Sequence, residues 1–196
     1  MGSQMAQGTE DKERGSFLDA PLFRRIVGFT CDYTIGAAIT LAVTMLPYCV
    51  MRGGWSVFLS DYLLIGVDVA YVAALVALAV ALSWVYYVLV PWKVWPGKTL
   101  GKRWAQTTLV KLDGDDVGVG ALTLRWLIML LVELPSIFAG ASLVQLVGLS
   151  GGGGVVTAWQ IAGGVAFAAS FVAVLVTYNH RALHDYAVGT WVYTDE

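Results

Sequence analysis

Four stretches of this chain stay apolar for 24 to 29 residues at a time: Ile26 to Val50, Tyr62 to Val90, Ala121 to Leu149 and Val155 to Tyr178. A helix of about 20 such residues crosses the hydrocarbon core of a bilayer. Barrel strands would instead alternate in segments of about ten residues. Composition agrees, with 58% hydrophobic and 13% charged residues and a mean hydropathy of +0.69, whereas a soluble domain is about one quarter charged. The expected fold is an all-α membrane protein, a four-transmembrane-helix bundle. The first stretch is too long for the apolar region of a cleavable signal peptide and reads as a retained span.

Charge placement sets the expected orientation. Of twelve Lys and Arg, only Arg52 falls between spans one and two or between spans three and four. The positive-inside rule puts both termini and the 91–120 connector in the cytoplasm, with the chain crossing the membrane in several passes. Residues 1–20, polar and charged at their start, read as a disordered tail. Residues 21–192 form the membrane domain and 193–196 a short tail. The slight net charge of −2 carries no message about nucleic acid, and none is expected as a partner.

The polar residues inside the spans are the informative ones. Asp32 interrupts span one, where a carboxylate near hydrocarbon costs a few kcal/mol or more, and such residues usually face the bundle interior. Gly28 and Gly36 share its helix face and invite a neighbouring backbone to close in. Arg25, two turns before Asp32, is expected at the interface. Asp68 lies in span two. Glu133 lies in span three beside Pro135, with Arg125 nearer the inner face. Asp32, Glu133 and Asp68 are the candidate ion or proton ligands. Burial would disfavour their charged forms, and a carboxyl brought near neutrality exchanges a proton for a cation.

The connector carries Trp92, Trp95 and Trp104 among lysines and an arginine, a pattern suited to anionic lipid headgroups. Thr107 to Val117 reads as a hairpin around Leu112-Asp113-Gly114. Gly97-Lys98-Thr99 resembles a phosphate loop only in part, because position 92, where that motif begins, is Trp. Cys31 and Cys49, 18 residues and so roughly 27 Å apart on one helix, cannot pair. His180 and His184 lack a third metal ligand. No nucleophile with its base, metal set or cofactor loop is legible, so neither an enzyme nor a cofactor is expected.

Three patches together resemble the RDD family of bacterial membrane proteins, named for one arginine and two aspartates. They are Phe23-Arg24-Arg25-Ile26-Val27-Gly28-Phe29-Thr30-Cys31-Asp32; Gly97 to Arg103 running on to Lys111-Leu112-Asp113-Gly114 and Arg125-Trp126; and Arg181 to Val192. The resemblance implies a charge network of Arg25, Asp32, Arg125 and Asp185, the last as the second family aspartate. It also implies roles in transport, with sodium/proton antiport proposed for some members, or in accessory subunits beside larger membrane systems. Two readings stay open. One is a cation/proton transporter working as a homo-oligomer, with the buried acids as its site. The other is a non-catalytic scaffold subunit of a larger membrane complex.

Overall fold

The computed structural model describes residues 20–135 and 138–194. Most of the sequence expected to be a disordered tail, residues 1–19, lies outside them. The chain is mostly helical, at 72%, and among the described residues three helices are long and apolar enough to cross a membrane. The first, α1 (Leu22–Arg52), buries only Gly28, Asp32, Gly36, Thr40 and Thr44, every fourth residue, so it touches the rest of the molecule along one narrow ridge. Thr40 and Thr44 donate their hydroxyls to the carbonyls of Gly36 and Thr40, which hides their polarity within the helix. A short α2 (Ser60–Leu64) follows. Its Tyr62 is fully buried with Leu59, Val72, Leu75 and Val76, and its hydroxyl donates to Thr44 O at 2.7 Å.

The second long helix begins as α3 (Val69–Trp84) and widens into a π-helical stretch, Val85–Val94, that contains Pro91. A proline clashes with the carbonyl four residues back and cannot donate, so a wider turn around it is a natural accommodation. The connector then makes α4 (Leu100–Trp104) and the strand β1 (Thr107–Lys111).

The stretch from 121 to 149 is two helices. One is α5 (Val119–Ile128) with a π-helical end, Met129–Glu133; the other is α6 (Phe138–Leu149). The first closes with Leu134 N–H donating five residues back to Met129 O, and Pro135, which cannot continue the ladder, follows at once. The last long helix, α7 (Gly153–Val176), crosses this break at Gly163, where an added Cβ would overlap the Pro135 ring. After it come α8 (Leu183–Val188) and β2 (Thr190–Thr194).

The hairpin expected over Thr107 to Val117 is met only at its turn, where Gly114 N–H donates to Lys111 O and Lys111 N–H to Asp115 O, both at 3.0 Å; its second strand does not form. β1 pairs antiparallel with β2, Leu109 opposite Val192, and only a single bridge joins Val110 to Asp116. Leu109, Val192, Val117 and Leu122 share one apolar core, so burial rather than turn chemistry chose the partner. A two-stranded ribbon alone is marginal. Here the Val192 carbonyl accepts from the Arg25 guanidinium at 2.6 Å, which ties the ribbon to the start of α1.

Candidate functional site

The ridge of α1 meets the connector through backbone. Gly28 and Gly101 lie so close that a Cβ on Gly101 would overlap the Gly28 carbonyl and stand 2.7 Å from an Asp32 carboxylate oxygen. Small residues at both positions bring Asp32, 4% exposed, against the first turn of α4. Its Oδ1 accepts from the Tyr86 hydroxyl at 2.6 Å and from Gly101 N–H at 2.9 Å. Its Oδ2 accepts from the Thr99 hydroxyl at 2.5 Å and lies 3.5 Å from Lys102 Nζ. Tyr87 adds a hydroxyl bond to the Asp32 backbone carbonyl at 2.7 Å. One side chain therefore joins α1, the π-helical end of the second long helix, and α4.

A second cluster hangs below the α5 break. Glu133, also 4% exposed, accepts from His184 N–H at 2.9 Å and from the His184 ring Nδ1 at 2.7 Å. The other ring nitrogen, Nε2, lies 2.9 Å from Arg125 Nη2. A guanidinium has only donors, so Nε2 is the acceptor and the ring proton sits on Nδ1, facing Glu133. The same Arg125 nitrogen is 3.0 Å from Asp185 Oδ1. Asp185 accepts in addition from Ala182 N–H and from the Thr190 hydroxyl, at 3.3 and 3.1 Å. Burial alone would raise the Asp185 carboxyl, but Arg125 and the other cationic and N–H neighbours outweigh it and hold the group at about 2. Arg181 finishes the cluster, donating to the Thr190 and Asp185 carbonyls and stacking over Tyr186 at 4.3 Å.

Lys102 is the link between the clusters. With Asp32, Arg125 and His184 it lines a small cavity of about 60 Å3, and with Arg125, Glu133, His184 and Asp185 it lines a larger one of about 420 Å3 between α1 and α7. Burial pushes its ammonium below the ordinary 10.5, against the attraction of Asp32. Arg25 stands at the rim. Its guanidinium donates to the carbonyls of Ala20, His180 and Val192, at 3.0, 2.8 and 2.6 Å.

Of the residues singled out in the sequence, Asp32, Glu133, Arg125 and Asp185 thus gather around Lys102 and His184. Asp68 does not join them. It caps α3, accepting from Ala70 N–H at 2.6 Å, at an exposed position. Tyr86, Thr99, Gly101, Lys102 and His184 were not foreseen as site residues. In the sequence His184 stands out only beside His180 as a metal ligand, and the pair lacks a third. The available signal was the number of donors a buried carboxylate requires, which obliges some neighbouring segment to supply hydroxyls and free N–H groups.

A model of the RDD family matches residues 20–189. No curated protein and no solved structure matches the chain.

Proposed function

The chain belongs to the RDD family, and from that premise we propose that it is a cation/proton transporter of the plasma membrane whose proton site is the Glu133–His184 pair. The observation that carries this reading is the state of His184. Its Nδ1 proton points at Glu133 while its Nε2 lone pair takes an Arg125 hydrogen bond. A proton arriving on Nε2 turns that acceptor into a donor and leaves Arg125 facing a cation. Arg125 must then give up one of the contacts that hold α5 to α8. Proton uptake and movement of a helix end are coupled through one nitrogen atom, and a carboxylate beside the histidine offers a counter-charge for a competing cation.

Asp32 takes a different part. Its oxygens are already occupied by four donors from two other segments, an arrangement that serves a clamp better than a carrier. The reading includes four crossings, with α5 and α6 together making the third and both termini in the cytoplasm. It also includes a homo-oligomer to complete the pathway.

The test is flux in proteoliposomes, read with proton- and sodium-sensitive dyes under an imposed proton gradient. Cation-dependent proton movement should appear with the wild type and vanish with Glu133→Gln that elutes like the wild type from a sizing column. Inserted, folded wild type with no flux above empty liposomes sinks the transporter reading. The accessory-subunit reading then gains. It is favoured by α7, which buries only Gly163 and Ser170 and leaves most of its apolar surface free for lipid or another chain. A stoichiometric partner isolated from native membranes would support it.

A further inference from the structure

The larger cavity has two unlike walls. One is charged and carries Lys102, Arg125 and Glu133; the other is apolar and carries Ile26, Phe167, Phe171 and Leu175. At about 420 Å3 it falls in the range of ligand pockets. Its apolar rim is open: Phe171 is 52% exposed and Leu175 46%. In a chain that lies in lipid, these residues face acyl chains.

The charged wall holds one poorly occupied group. Arg125 has Asp185 and His184 close by. Lys102 has three N–H donors, and among the described residues its ammonium meets a single acceptor, Asp32 Oδ2, at 3.5 Å, the outer limit of a hydrogen bond. That oxygen is better served by Thr99 at 2.5 Å. The side chain is only 19% exposed, so water does little to replace the missing acceptors.

We infer that the cavity between α1 and α7 holds one anionic membrane lipid, with its headgroup phosphate on the Lys102 ammonium and the first part of its chains along Ile26, Phe167 and Phe171. A free phosphate would satisfy the lysine and leave the apolar wall bare. A neutral lipid would cover the wall and leave the lysine unsatisfied. An anionic lipid does both, and its chain ends leave through the open rim into the bilayer. The site does not depend on proton exchange at Glu133–His184, and the test below reads binding alone.

The full-length protein in detergent is incubated with equal amounts of phosphatidylglycerol and of phosphatidylcholine carrying the same chains, and retained lipid is counted by native mass spectrometry. One phosphatidylglycerol per chain is expected, preferred over phosphatidylcholine by roughly tenfold or more, the scale of one charge-assisted contact. Lys102→Ala should erase the preference. It should still fold, because Asp32 keeps Tyr86, Thr99 and Gly101. Val174→Trp, which fills the cavity from the apolar wall, should expel both lipids while leaving Lys102 untouched. Equal retention of the two lipids by the wild type overturns the inference. So does a preference that survives both substitutions, or displacement of the lipid by millimolar inorganic phosphate, which would identify a small-anion site.

Discussion

Removing the Asp32 carboxylate strands the Tyr86 hydroxyl, the Thr99 hydroxyl and the Gly101 N–H inside the protein at once. A buried charged partner deleted from such a set costs about 3 kcal/mol or more. Asp32→Ala should therefore lower the melting temperature in detergent by many degrees, and an unchanged melting temperature would rule out the clamp. Asp185 makes a separate prediction about acid. Its folded value, about 2, lies below the ordinary 3.8, so the ionised group stabilises the fold fully above pH 4. The contribution, about 2 kcal/mol at about 1.4 kcal/mol per unit, fades as pH falls from 3.8 through 2. The gap in melting temperature between wild type and Asp185→Asn should hold from pH 7 to pH 4 and close by pH 2. The sequence made the need for partners legible at this scale, since an aspartate among apolar residues cannot stay alone. It concealed who the partners are. Thr99 and Gly101 stand nearly 70 residues from Asp32, and no periodicity or local motif reaches so far.

Among the elements, the break at Pro135 decides how α7 is seated. Gly163 is where the two backbones meet, while Gly164, one residue on, faces open space. Gly163→Ala should cost about 1–3 kcal/mol through overpacking, whereas Gly164→Ala should be neutral or slightly stabilising from helix propensity. The pair is read by melting in the same detergent, and equal effects would mean that α7 is not anchored at the proline. The long apolar helices were visible in the sequence because length and hydropathy are local properties. The π-helical turns were not, although Pro91 and Pro135 marked where regular helix would be under stress. The strand pairing escaped because the turn signal at Leu112-Asp113-Gly114 was real but brought only one bridge, while the apolar faces of Leu109 and Val192 found each other across the chain.

For the whole molecule, the charged clusters, the connector and the β ribbon all gather at the end of the helices where Lys and Arg concentrate, and the opposite end closes on Tyr62 and its neighbours. The proposed arrangement, four crossings with both termini inside, predicts a labelling pattern. In a Cys31→Ala, Cys49→Ala background, Ser56→Cys and Gly152→Cys should react with a membrane-impermeant thiol reagent in intact cells, and Asp113→Cys only after lysis. Labelling of Asp113→Cys from outside would reverse the orientation. The tie between Arg25 and Val192 spans 167 residues of sequence. At about 5–20 residues per second, the ribosome takes roughly ten to thirty seconds to travel that distance. For all that time the Arg25 guanidinium lacks its Val192 contact, and the β ribbon that it ties down does not yet exist. The ribbon is tied to the start of α1 only when position 192 emerges, so a ribosome that stalls late in the message leaves behind a chain that has entered the bilayer with β1 unpaired and that end of α1 not yet fastened.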